Sequence, residues 1–474
     1  MLLTAITLYV LAQLALAVFV ARDTKSEADY LVAGRGLGTF SVAMSIFATW
    51  FAAETIIATA GETAGQGLPG ARVEPFGYTV GILALALMVA VKLRGEGVLS
   101  LAGFLGHRFG DRVAAVSAVL VAVAATVWAG AQLSALATLL SEAGDFPFIL
   151  ALVIGTGVVL LYTWVGGLKG DVATDVVQGL VLVVCLIVIF ALVMNEAGGF
   201  QAALSSVPPE RWQLNRDGEN WLGRGELWVL PIFGTITSQE AISRVLGARS
   251  VRVARNGALL GAGIYLAAGM IPVFLGLVGP SIDIGLSRDL GDAYFPALAQ
   301  AVLPAWAYVI LSGALLSAIL SSVDSALLAV SGVTTEVKLS IDDEAISAKR
   351  RLRLARTITI IAGLAAFTIA LFGESLRAIV LLGSGISGLL TVPLLAGLFL
   401  PRSAPRSIFA ALITSIGIQA VSGWILDWDG AFIAAIAGGG VMFILFEGAR
   451  RLSASSTAPQ ESREARESRS DQIA

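Results

Sequence analysis

The strongest constraint on this chain is the recurrence of apolar stretches about twenty residues long, parted by short polar breaks. Hydrocarbon offers no water to satisfy backbone N–H and C=O groups, so stretches of this kind cross a bilayer as helices. Spans fall near 2–20, 37–60, 73–91, 113–141, 146–165, 172–194, 226–241, 257–279, 298–336, 354–373, 376–400, 406–425 and 430–448, about thirteen in all. Of the 474 residues, 57% are hydrophobic and 14% charged, and the mean hydropathy is +0.84. The expected fold class is an all-α polytopic membrane protein. The ten-residue alternation of a membrane β-barrel is absent. The run near 2–20 lacks a basic leader and reads as a retained span rather than a signal peptide.

Charge is sorted by side. Alternate breaks, beginning at 21–36, hold 25 of the 31 Lys and Arg residues. The positive-inside rule then predicts an outside N-terminus and a cytoplasmic C-terminus in a plasma-membrane protein. The tail 451–474 is rich in Ser, Glu and Arg without apolar periodicity and is expected to be disordered. One cysteine, Cys185, and one histidine, His107, leave no material for a disulfide, a cysteine metal cluster or a histidine relay. Nothing points to an enzyme, to nucleic acid or to an obligate protein partner.

Function is therefore sought in polarity at membrane depth, where it costs most. The stretch 311–332, LSGALLSAILSSVDSALLAVSG, places Ser317, Ser321, Asp324 and Ser325 on one helix face, with Ser322 beside it. Hydroxyls there serve either close helix packing or a hard cation. Asp324 favours a site, because a buried acid needs a partner. In ATWFAAETIIATAG, Trp50 and Glu54 share a face, with Thr55 and Thr59 alongside. Glu74 precedes Pro75 at a span start, where a helix dipole also favours an acid. In YTWVGGLKGDVATDVVQ, Gly166 and Gly167 mark a turn, Asp171 falls at the wet start of the next helix, and Asp175 lies a turn deeper. Pro231 and Gly234 predict a broken helix before SQEAISRVLGARS, in which Glu240 and Arg244 form an i, i+4 pair. Trp128 and Gln132 are another such pair. No Lys or Arg is evident within a span. The segments near 195–225 and 280–297 are expected to form short caps over the outer face.

The fragments ADYLVAGRGLG, YTWVGGLKGDVATDVVQ, SQEAISRVLGARS and SAILSSVDSALLAVSG, in this order, resemble signature stretches of the sodium/solute symporter family. ATW at 48–50, PFGY at 75–78 and Trp128 lie nearest the choline-transporter branch. The resemblance implies a LeuT-type fold of two inverted five-helix repeats. Its divisions would be a leading helix and link over 1–36, a first repeat over 37–194, an external loop over 195–225, a second repeat over 226–400, and two trailing helices over 401–450. It implies a sodium site made of the carbonyls of Ala48, Phe51 and Ala318 and the hydroxyls of Ser321 and Ser322, with Asp175 close by. Asp324 and Ser325 would lie toward a second sodium site. Substrate-facing positions would be Trp50, Thr55, Glu74, Trp128 and Ser238, with Glu54 added from its own chemistry. The choline branch carries Trp where this chain has Ser238, which weakens the case for choline itself. The implied activity is sodium-coupled import of a small polar organic solute, an amine or quaternary ammonium compound. The alternatives are a sodium- or proton-coupled importer of an amino acid, sugar or monocarboxylate, and, more remotely, a channel.

Overall fold

The computed structural model describes residues 11–12, 15–16, 19–20, 26–144, 146–215, 218–282, 286–341, 348–372, 376–400 and 402–470. The span expected near 2–20 lies largely outside the described residues. The described chain is helical throughout, apart from one isolated parallel bridge between Leu37 and Ala248. In chain order its helices are α1 (Glu27–Val32), α2 (Thr39–Trp50), α3 (Glu54–Gln66), α4 (Leu68–Leu93), α5 (Leu101–Phe109), α6 (Asp111–Ser141), α7 (Phe148–Leu161), α8 (Gly167–Glu196) and α9 (Trp221–Thr237). They continue with α10 (Gln239–Gly247), α11 (Val251–Ser281), α12 (Tyr294–Val302), α13 (Ala305–Glu336), α14 (Lys349–Phe372), α15 (Leu376–Gly388), α16 (Thr391–Phe399), α17 (Pro405–Ile425) and α18 (Ala431–Leu452).

Among the described residues, eight helices are long and apolar enough to cross a bilayer, and two bent pairs raise this to ten. The bent pairs are α2 with α3, at 63°, and α15 with α16, at 41°. The remaining expected spans correspond to α7, which is shorter, to α9 with α10, and to the leading stretch. The backbone of the last helix continues to Ser470, across most of the stretch expected to be disordered.

Burial ranks the helices from centre to lipid. The apolar window of α13 is 71% buried and that of α17 only 22%, so α13 is a central post and α17 a peripheral helix. The sequence of α13 explains its place. Its Ser, Ala and Gly residues let α2, α6, α8 and α14 approach closely. The turn predicted at Gly166–Gly167 is present. Gly167 has φ 56°, and a Cβ there would sit 2.5 Å from the Tyr30 ring. Both facts require glycine.

The helix break expected at Pro231–Gly234 lies further on. Pro231 is accommodated inside α9, and the chain leaves helical geometry at Ser238, with φ −71° and ψ 130°. The reason is local. The Ser238 hydroxyl accepts from the Ala241 N–H at 3.4 Å and so caps the new helix α10.

The segment near 195–225 packs against the ends of α3 and α4. Arg211 donates to the carbonyls of Thr63 and Ala64, both at 2.8 Å, at the end of α3. Arg72 pairs with Glu219 at 2.5 Å and with the Leu214 carbonyl at 2.9 Å. On the opposite, basic side, Leu37 N–H donates to Gly247 and Arg249 N–H to Leu37, at 3.0 and 2.9 Å. That bridge ties the start of α2 to the end of α10.

Candidate functional site

Two chain breaks, at Phe51 and at Ser238, border one cavity. At the first, Phe51 leaves helical geometry (φ −90°, ψ 57°) between α2 and α3. Interrupted helices release carbonyls from the i to i+4 ladder, and buried carbonyls need other partners. Ala48, Phe51 and Ala318 are all buried here. Ser322 joins the two elements: its hydroxyl lies 3.4 Å from the Thr49 carbonyl and 3.0 Å from that of Ala318. Ser322 thus ties α13 to α2 at Thr49, a residue between the expected positions Ala48 and Phe51. No His, Cys or acidic trio capable of holding a metal occurs among the described residues. The donor set is hydroxyls and carbonyls, neutral oxygens suited to a hard monovalent cation.

Ser321, one residue earlier on the same helix, meets different partners. Its hydroxyl reaches Asp171 Oδ1 at 3.1 Å and also contacts Asp175 Oδ1. Ser45 donates to Asp175 Oδ2 at 2.5 Å. A hydroxyl that gives its proton to a carboxylate keeps both lone pairs for another ligand. Asp175 is thus held by two serines, one on α2 and one on α13.

The sequence missed the centre of this network. Arg244, which was grouped with the basic breaks, is 1% exposed. It donates to Asp171 Oδ2 at 2.7 Å and to Ser45 Oγ at 3.1 Å, contacts Ser325 Oγ, and lies 3.7 Å from Asp175. Three readings are corrected here. Asp171 is fully buried rather than wet. Arg244 pairs with Asp171 rather than with the Glu240 carboxylate, and meets only the Glu240 backbone carbonyl, at 3.0 Å. A fully buried arginine does exist within the helical bundle. The helical i, i+4 rule finds pairs within one helix, whereas this pair joins α8 to α10.

Asp324 and Ser325 are adjacent but face different partners, because neighbours on a helix diverge by about 100°. Ser325 donates to Asp171 Oδ2 at 2.9 Å. Asp324 is fully buried beside Thr163.

Above the network lies a cavity lined by Trp50, Glu54, Tyr78, Trp128, Ser238 and Glu240, among others. Four of the expected substrate positions, Trp50, Glu54, Trp128 and Ser238, meet there. The Trp50 and Trp128 rings stand 6.1 Å apart at 41°, and Tyr78 packs edge-on to Trp50 at 6.4 Å. Gly234 lets α9 close on α15, since a Cβ there would lie 2.8 Å from that of Ser384. Thr55 is not on the cavity wall. Its hydroxyl donates to the Trp50 carbonyl at 2.7 Å and lies 3.1 Å from the Tyr265 hydroxyl, which fixes the bend. Glu74 lines a neighbouring cavity that shares Glu54 and includes Arg377. Thr59 donates to Glu74 at 3.2 Å.

Glu54 holds two neutral donors. Trp128 Nε1 reaches one oxygen at 3.0 Å and Gln132 Nε2 the other at 2.5 Å. The Trp128–Gln132 pairing was legible in the sequence, and its target was not.

Residues 30–415 match the sequence profile of the Sodium:solute symporter family. The chain belongs to that family. It is 25% identical over 437 residues to high-affinity choline transporter 1 of Caenorhabditis elegans, a match covering 85% of this chain and 73% of the relative. It is 25% identical over 354 residues to the sodium/proline symporter of Escherichia coli K12, covering 70% and 69%. A Na+-coupled sialic acid symporter, solved in a substrate-bound outward-open state, shares the fold at a TM-score of 0.76 and 18% identity. That likeness covers 94% of this chain and 98% of the other. The symporter is a multi-pass membrane protein that couples import of a small solute to sodium.

Proposed function

We propose that this symporter imports a small organic cation, bound in the cavity between Trp50, Trp128 and Glu54. One observation carries the reading. Glu54 is a buried carboxylate on the cavity wall whose described hydrogen bonds come from neutral groups. A buried anion without a cationic partner is strongly penalised until a cation arrives. The indole faces add cation–π attraction for the same charge.

Sodium would bind where the α2–α3 break meets α13. The carbonyls of Ala48, Phe51 and Ala318 and the hydroxyls of Ser321 and Ser322 supply the ligands, with Asp175 adding negative charge from the side. Its binding would fix the break against α13 and so set the pose of Trp50, which immediately precedes Phe51. Asp324 stands as a candidate for a second ion on the far face of α13, reached separately from Ser325. A membrane potential of 100 mV contributes about 2.3 kcal/mol per charge, which supports roughly 50-fold accumulation.

The architecture in this reading has thirteen spans: the leading helix, inverted repeats over 37–194 and 226–400, and two trailing helices over 401–450. The Lys- and Arg-rich side faces the cytoplasm of the plasma membrane, leaving the N-terminus outside.

The test is a thermal-shift panel on purified protein with amines, amino acids, sugars and carboxylates, each with and without sodium. Stabilisation by amines that requires sodium is expected. Sodium-dependent stabilisation confined to sugars or carboxylates would sink the cation reading.

A further inference from the structure

The central cavity presents two acids rather than one. Glu54 follows the α2–α3 break and Glu240 follows the α9–α10 break, and both line the same space. Glu240 is buried; its own backbone N–H bonds the carboxylate and the Arg244 charge bears on it, but no direct ion pair to it occurs among the described residues. Its nearest basic neighbour in sequence, Arg244, is committed to Asp171, Ser45 and Ser325. Arg377 lines the adjacent cavity and is engaged by Glu62 at 3.1 Å. No Lys or Arg lines the central cavity itself.

We propose that the transported solute carries two cationic nitrogen centres joined by an apolar chain, as in an α,ω-diamine, with one ammonium on Glu54 and the other on Glu240. This rests on the reading that the cavity takes a cation, and it goes further in fixing the number and kind of charges. A solute with a single charge leaves one carboxylate without a cation in direct contact in a site of low dielectric, and binding is weakened accordingly. A second ammonium removes that penalty. The wall also carries Val121, Ala124 and Ala125, which suit methylene groups.

The nitrogen chemistry follows from the partners. A carboxylate accepts hydrogen bonds, and a primary ammonium has three N–H groups to give. A quaternary ammonium has none. The uncharged polar groups of the wall are largely occupied: Ser384 with Tyr78 at 2.9 Å, Ser238 with the Thr235 carbonyl at 3.2 Å, and Gln239 with Leu101 N–H at 2.8 Å. The acids are the acceptors left to read the solute. Sites built to hydrogen-bond a substrate reject analogues that lack the donor.

The experiment measures binding of 1,4-diaminobutane, 1,5-diaminopentane, 1-aminobutane and tetramethylammonium to the purified full chain in sodium, by calorimetry. At least one diamine is expected to bind about tenfold or more tighter than 1-aminobutane, and Glu240→Gln to bring that ratio within about twofold. Glu240→Asp, which keeps the charge, is expected to retain most of the preference. If 1-aminobutane or tetramethylammonium binds the native protein as tightly as both diamines, the two-centre inference fails and the cation reading stands. A preserved ratio in Glu240→Gln has the same consequence. Should none of the four bind, the cation reading fails, and this inference with it. The ratio in the native protein decides the question even where a variant does not fold.

Discussion

Arg244 offers the sharpest test of the architecture, because it ties three elements at once. Its guanidinium donates to Asp171 on α8, to Ser45 on α2 and to Ser325 on α13. Arg244→Met removes the charge while keeping an unbranched apolar side chain. It leaves Asp171 and Asp175 buried without a basic partner among the described residues. Breaking one side of a buried pair costs about 3–5 kcal/mol, most of it from the abandoned charge. The companion Asp171→Asn/Arg244→Met removes both charges of the closest pair, so the penalty should fall to about 1–2 kcal/mol, the scale of lost hydrogen bonds. The single variant is therefore expected to be less stable than the double by about 1–4 kcal/mol. Unfolding followed in detergent by tryptophan fluorescence, for both variants and for Asp171→Asn, completes the cycle. A single variant as stable as the double would refute the claim that the pair balances charge across α8 and α10.

Three further outcomes are expected. Ser322→Ala should weaken sodium roughly tenfold or more, read as the sodium dependence of uptake, since it removes the hydroxyl that joins α13 to the α2 carbonyls; unchanged sodium affinity would remove Ser322 from the site. Glu54→Gln should weaken an amine solute by about ten- to a hundredfold, because the charge facing it is gone; equal affinity in native and variant protein would contradict the cation reading. Gly167→Ala should lower stability by about 1–2 kcal/mol from its left-handed backbone alone, with the clash against Tyr30 adding to that. An unshifted melting temperature would show that this turn is not held as described.

The sequence by itself determined the class of the molecule and the addresses of its polar residues. Apolar runs long enough to span, basic residues sorted by side, and acids at depth are one-dimensional signals, and each reflects the cost of polarity in hydrocarbon. Trp50, Trp128 and Ser238, named from the family resemblance, and Glu54, named from its own chemistry, do meet in one cavity. Partnership was decided only by the tertiary structure. Asp171 looked wet at a helix start and is buried because α10 brings Arg244 against it from 73 residues away. Thr55 looked like a cavity residue and is spent on the bend, because the Trp50 carbonyl was freed there. Glu240 looked paired within its own helix and instead opens onto the cavity, because its presumed partner turns toward α8. Periodicity fixes which face of a helix a residue occupies. Which other helix that face meets depends on packing, and here packing settles where each buried charge is balanced.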